Sequence, residues 1–131
     1  MIGLDTNVLV RYLAQDDKDQ SKSATSLIEK NPETSHFYIN HIVLVELVWV
    51  LQGAYKLNKQ NTVNIIEKFL HTAQFEVQAQ NNVWQALIAY KEGAADFADY
   101  LSGQNNLTHR CQYTATFDVK ASKSKNFMLL E

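Results

Sequence analysis

The sequence predicts an α/β fold, with a central, mostly parallel sheet of four or five strands and helices on both of its faces. Short runs rich in aromatic and β-branched residues alternate with longer segments whose apolar residues recur at helical spacing. Such alternation implies parallel strands joined by helical crossovers. Two of the short runs close on an aspartate: Met1-Ile2-Gly3-Leu4-Asp5 and Tyr113-Thr114-Ala115-Thr116-Phe117-Asp118. A carboxylate at the carboxyl end of a strand lies at the rim where open α/β sheets bind ligands.

The elements follow in order. After the first strand, Val8, Leu9, Tyr12 and Leu13 mark a helix, and Gln15-Asp16-Asp17-Lys18-Asp19 offers caps for a second helix through Ala24, Leu27 and Ile28, ended by Asn31-Pro32. His36-Phe37-Tyr38-Ile39 reads as a strand. The residues from His41 to about Lys56 are nearly all apolar, and their length favours a buried helix. Asn58 or Asn61 can cap the next helix, whose apolar face is Val63, Ile66, Phe69, Leu70 and Ala73. Phe75-Glu76-Val77-Gln78 is a short strand. Val83, Leu87 and Tyr90 lead to Gly93 as a C-cap, Asp96 to Leu101 opens another helix, and Phe127-Met128-Leu129-Leu130 is a last edge strand.

Composition narrows the function classes. The 131 residues fit one domain, residues 1–131, with a sizeable core, and the formal charge of −2 advertises neither nucleic acid nor an acidic membrane surface. Cys111 is alone, so no internal disulfide can form, and the first residues lack the pattern of a signal peptide. The longest apolar stretch, Ile42 to Leu51, is shorter than the roughly 20 residues a bilayer span needs and contains Glu46. A cytoplasmic protein without membrane contact is expected. Cys111 is expected to be a small buried apolar residue.

Each acidic residue has a plain structural reading. Asp5 can cap the first helix, and Asp118 can begin a turn. Asp96 and Asp99 share a helical face, with Asp96 in the capping position. Glu46 stands out because apolar residues flank it on both sides. A carboxylate buried there without a partner would cost several kcal/mol, so it must be paired with Arg11 or a lysine, protonated, or bound to metal.

Together these residues point further. Asp5 and Asp118 end strands, while Glu46 and Asp99 lie early in helices, so all four can approach one edge. Four carboxylates repel one another unless cations neutralise them. Oxygen ligands without a His or Cys cluster favour Mg²⁺ or Mn²⁺. His36, His41, His71 and His109 have no metal-ligand spacing. A carboxylate cage with such ions most often serves phosphoryl transfer, here phosphodiester hydrolysis. A receiver-like phosphoacceptor domain is the competing reading, with a poorer match.

Asp5-Thr6-Asn7-Val8-Leu9, the Glu46 helix, Asp96-Phe97-Ala98-Asp99 and Thr116-Phe117-Asp118 occur in the order of a PIN domain. The chain resembles that family over essentially its whole length, and in particular the VapC toxins of bacterial toxin–antitoxin pairs. The resemblance implies a three-layer α/β/α sandwich and an Mg²⁺- or Mn²⁺-dependent endoribonuclease. Its metal ligands and catalytic residues would be Asp5, Glu46, Asp99 and Asp118. Thr6, Asn7, Asp96 and Thr116 would orient carboxylates or water, and Arg11 and Lys120 are candidates for contacts with RNA phosphates. A homodimer is also implied, with a small antitoxin protein covering the site and tethering the pair to operator DNA. A housekeeping PIN nuclease and a catalytically silent PIN-like interaction module are the alternatives. Relatives often carry a basic residue directly after the last aspartate, whereas here Val119 precedes Lys120.

Overall fold

The computed structural model describes residues 1–30 and 36–131, so the expected helix end at Asn31-Pro32 lies outside the described residues. The chain forms two compact units, Met1–Gln78 and Ala79–Glu131.

In the first unit the elements are β1 (Ile2–Gly3), α1 (Thr6–Ala14), α2 (Lys18–Glu29), β2 (Phe37–Ile39), α3 (His41–Gly53), α4 (Lys59–His71) and β3 (Phe75–Val77). The strands pair in the order β1-β2-β3, all parallel, with Gly3 opposite Tyr38 and Tyr38 opposite Glu76. Parallel neighbours need a crossover, and helices supply it each time. Polar side chains start the helices: Asp17 and Asn58 are among the caps the sequence offers, and Asn40 is one it did not mark. Asp17 accepts the Gln20 N–H, Asn40 that of Val43 and Asn58 that of Asn61. Leu9, Ile28, Phe37, Ile39, Leu44, Leu47 and Ile66 are almost fully buried. Each such side chain contributes about 1.5–3 kcal/mol relative to leaving it in water. Phe75 meets Phe37 and Phe69 edge to face, with centroids 6.2 and 5.3 Å apart.

The apolar helix α3 is not buried all round. Val43, Leu44, Leu47, Val48 and Leu51 face the core, whereas Ile42 and Trp49 are 71% and 57% exposed and Glu46 lies with them on the outer side. A segment this uniformly apolar carries little helical periodicity, so its phase is set by what packs on it rather than by its own sequence. At the end of α4, Leu70 is half-buried and Ala73 is exposed beyond the helix. The expected apolar face is therefore shorter, formed by Val63, Ile66 and Phe69.

The second unit contains α5 (Gln80–Glu92), α6 (Phe97–Thr108), β4 (Thr114–Thr116), a short α7 (Val119–Ser122) and β5 (Phe127–Leu129). β4 and β5 are parallel, with Thr116 opposite Leu129. The fold class is α/β as the alternation of runs predicts, and among the described residues the strands lie in one three-stranded and one two-stranded ladder. Tyr90 packs on Phe97 and Tyr100 at centroid distances of 5.9 and 6.4 Å. α6 approaches β5 closely at Gly103, where an added Cβ would lie 2.6 Å from the Phe127 ring. Gly93 does follow α5, but its backbone is extended (φ −101°, ψ 179°) rather than left-handed. Space explains this glycine, because a Cβ would lie 1.8 Å from the Tyr100 hydroxyl oxygen. Cys111 is exposed instead of buried. No described helix is long and apolar enough to cross a membrane.

Candidate active site

The first unit brings Asp5 and Glu46 to a common partner. Buried Leu4 ends the first strand segment, and Asp5 follows with extended backbone as the N-cap of α1. Its Oδ1 accepts the Thr6 N–H at 2.9 Å. Thr6 is only 7% exposed, and its hydroxyl donates to Glu46 Oε1 at 3.0 Å across forty residues of sequence. One threonine thus serves both carboxylates, through its backbone and its side chain. The second oxygens of Asp5 and Glu46 accept no hydrogen bond among the described residues.

Glu46 is not the buried carboxylate that its flanking residues predict. It is exposed rather than enclosed by the neighbouring apolar side chains, so no large burial cost attaches to it. Its partner is Thr6 rather than a cation. Arg11 is engaged elsewhere: Nη1 donates to Asp16 at 3.0 Å and Nε to Gln20 at 2.8 Å. Asp16 also accepts the Tyr55 hydroxyl at 2.6 Å. The Tyr55 and Arg11 hydrogen bonds hold the Asp16 carboxyl below its ordinary range. Asn7 is exposed, makes no hydrogen bond to a carboxylate among the described residues, and lines a cleft of about 580 Å³ with Val8, Arg11 and Leu27.

The second unit groups Asp96, Asp99 and Asp118. Asp96 is the N-cap of α6 and Asp99 its third helical residue, and the two form a reciprocal capping box. Within it the Asp96 N–H donates to Asp99 Oδ2 at 3.3 Å. The capping role foreseen for Asp96 is therefore shared by Asp99. Burial pushes the Asp99 carboxyl above its ordinary range; the Asp96 N–H opposes this, while the charges of Asp118 and Asp96 add to it. Asp118 caps α7, its Oδ1 accepting from the Lys120 and Ala121 N–H groups at 2.8 and 3.2 Å. Its own N–H donates to Thr116 Oγ1 at 3.0 Å, so Thr116 orients the turn that presents the carboxylate.

The donor set fits a hard divalent cation. Asp5, Glu46, Asp99 and Asp118 offer only oxygens, and each has one oxygen held by a protein N–H or O–H while the other accepts no hydrogen bond among the described residues. Within neither unit, among the described residues, do three Asp, Glu, His or Cys side chains gather closely enough to hold an ion alone. The carboxylates of the second unit are near enough for the charges of Asp118 and Asp96 to act on Asp99.

Sequence reasoning missed α7 and the part of Asp99 in the capping box. The spacing of Asp96 and Asp99, an acidic residue three positions after an acidic N-cap, was an available signal for the second.

Compared with known families, residues 2–123 match the PIN domain. A curated relative, the VapC ribonuclease of Aquifex aeolicus (strain VF5), is 24% identical over 98 residues, which cover 75% of this chain and 73% of that protein. A family match over nearly the whole length, on an α/β fold with parallel strands and aspartates at the ends of β1 and β4, shows that the chain belongs to the PIN domain family.

Proposed function

We propose that the protein is an Mg²⁺- or Mn²⁺-dependent endoribonuclease that hydrolyses RNA phosphodiester bonds, acting as the toxin of a toxin–antitoxin pair. The observation that carries this reading is the state of the four carboxylates. Each is steadied through one oxygen by a protein donor, and each keeps its other oxygen available. Burial, with a smaller contribution from the charges of Asp118 and Asp96, raises the Asp99 pKa, and a bound cation would favour its ionised form. Membership of the PIN family and the likeness to a VapC ribonuclease support the same reading.

Asp5, Glu46, Asp99 and Asp118 would hold the ion or ions. When bound, such an ion lowers the pKa of water and offsets charge on the attacking and leaving oxygens. The chain's own contribution is orientation. Thr6 restrains Asp5 and Glu46 together, so neither carboxylate can rotate without breaking a hydrogen bond. Thr116 and the first turn of α7 do the same for Asp118. A neighbouring small antitoxin protein, homodimerisation and attachment to operator DNA through the antitoxin complete the proposal.

The test is cleavage of a single-stranded RNA with Mg²⁺ or Mn²⁺ added, or removed with EDTA, by wild-type protein and by Glu46→Gln. Because Glu46 is exposed, the variant should keep wild-type stability within about 0.5 kcal/mol. Its cleavage should fall by more than about 10-fold. Equal cleavage by the folded variant, or full activity in EDTA, would overturn the assignment.

A further inference from the structure

The second unit contains a cleft of about 500 Å³ that none of the four carboxylates lines. Its walls include Glu92 and Gly93 at the end of α5, Tyr100 of α6, and Lys120, Lys123 and Ser124 around α7. We propose that this cleft is a phosphate-binding subsite for the RNA strand, in which Lys120, Lys123 and the Tyr100 hydroxyl hold a phosphate next to the one being cleaved. The proposal rests on the ribonuclease reading above and deepens it.

Two observations converge on an anion. Lys120 and Lys123 are three residues apart on the turn of α7, a spacing that puts side chains on one side. Ala121, 1% exposed, anchors that turn inward. Among the described residues neither lysine forms a salt bridge with Glu92, which lines the same cleft. Two cationic ammonium groups therefore share a concavity without a carboxylate partner.

Tyr100 supplies the second observation. It is 7% exposed, and its oxygen accepts the Ala95 N–H at 3.2 Å, while its own O–H donates to no acceptor among the described residues. A buried hydroxyl normally uses its donor, because leaving one unmade costs about 1–3 kcal/mol. An acceptor entering the cleft would complete it.

Gly93 is what lets that hydroxyl sit where it does. Its extended backbone would accept any residue, yet a Cβ there would lie 1.8 Å from the Tyr100 oxygen and 2.7 Å from the ring carbon that bears it. The glycine thus makes room for the Tyr100 hydroxyl at the wall of the cleft. Two cations and two hydroxyls, those of Tyr100 and Ser124, match the charge and acceptor oxygens of a phosphodiester. Lys120 also gives its backbone N–H to Asp118, so the subsite is joined through one turn to a proposed metal ligand. Glu92 on the opposite wall repels an anion and keeps the affinity modest.

The experiment measures binding of a fluorescent single-stranded RNA in EDTA, across a range of salt concentrations, by fluorescence anisotropy. Lys120→Ala/Lys123→Ala should bind roughly 5- to 10-fold more weakly at low salt, and the slope of log K against log salt should fall by about 0.7 for each phosphate no longer neutralised. Tyr100→Phe should weaken binding while leaving that slope unchanged, since it removes a neutral donor. Glu92→Gln should tighten binding. With metal present, the double lysine variant should raise KM and leave kcat intact, because a flanking phosphate is held equally in ground and transition states.

Wild-type affinity and slope in the double lysine variant would overturn the subsite. So would lysine-dependent thermal stabilisation by inorganic phosphate without any change in RNA binding, which would mark a site for the free anion. If wild-type protein binds RNA with the expected lysine dependence but cleaves none, the ribonuclease reading fails while the phosphate subsite stands. If it cleaves RNA and the lysine variant behaves as wild type, the reverse holds.

Discussion

In Met1–Gln78 the hydroxyl of Thr6 stands against Glu46 while its N–H serves Asp5, so a neutral donor holds both carboxylates in place. In Ala79–Glu131, Asp99 instead faces the charges of Asp96 and Asp118, and burial together with those charges raises its pKa. The first unit ties two carboxylates to one hydrogen-bond donor, whereas the second sets a partly buried carboxylate beside two others.

The sharpest test of that difference is Asp99→Asn. RNA cleavage should fall by more than about 100-fold, beyond the 10–100-fold typical of losing an outer partner. Without divalent ions the variant should melt at or slightly above the wild-type temperature. The amide oxygen can still accept the Asp96 N–H, while the repulsion with Asp118 and Asp96 is gone. The sign follows from the raised pKa: the folded state disfavours the ionised carboxylate, so at neutral pH removing that charge relieves the fold. The rise in melting temperature caused by Mn²⁺ should shrink more than it does in Asp5→Asn. An equal or larger shrinkage in Asp5→Asn would break the comparison.

Thr6→Val probes the other half. The valine matches the shape of threonine but cannot donate to Glu46, so cleavage should drop by about 10–100-fold, with about 1 kcal/mol lost in thermal unfolding. Thr6→Ser should recover most of the activity. Wild-type rates in Thr6→Val would mean that the hydroxyl does not position Glu46 for catalysis.

Asp96→Ala should have the smallest effect on activity, below about 10-fold, but should cost about 0.5–2 kcal/mol of stability through the lost cap. Should cleavage vanish in a stable Asp96→Ala protein, Asp96 rather than Asp99 is the functional carboxylate, and the contrast between the units must be redrawn around it.

The sequence by itself determined the local features: strands where β-branched and aromatic residues cluster, helices started by Asp17 and Asn58, and aspartates at the ends of β1 and β4. Caps and alternation act within a few residues, so they can be read without knowing what packs on them. The outward direction of Glu46 was not legible, because α3 is apolar on every side and only the elements packed against it choose which face is covered. Nor was the hydrogen bond from Thr6 to Glu46, which joins residues forty positions apart. α7 is too short to carry a periodic signal. The need for glycine at 93 comes from the Tyr100 hydroxyl rather than from its own backbone angles. In each of these cases the deciding interaction is long-range or steric, and such interactions exist only once the chain is folded.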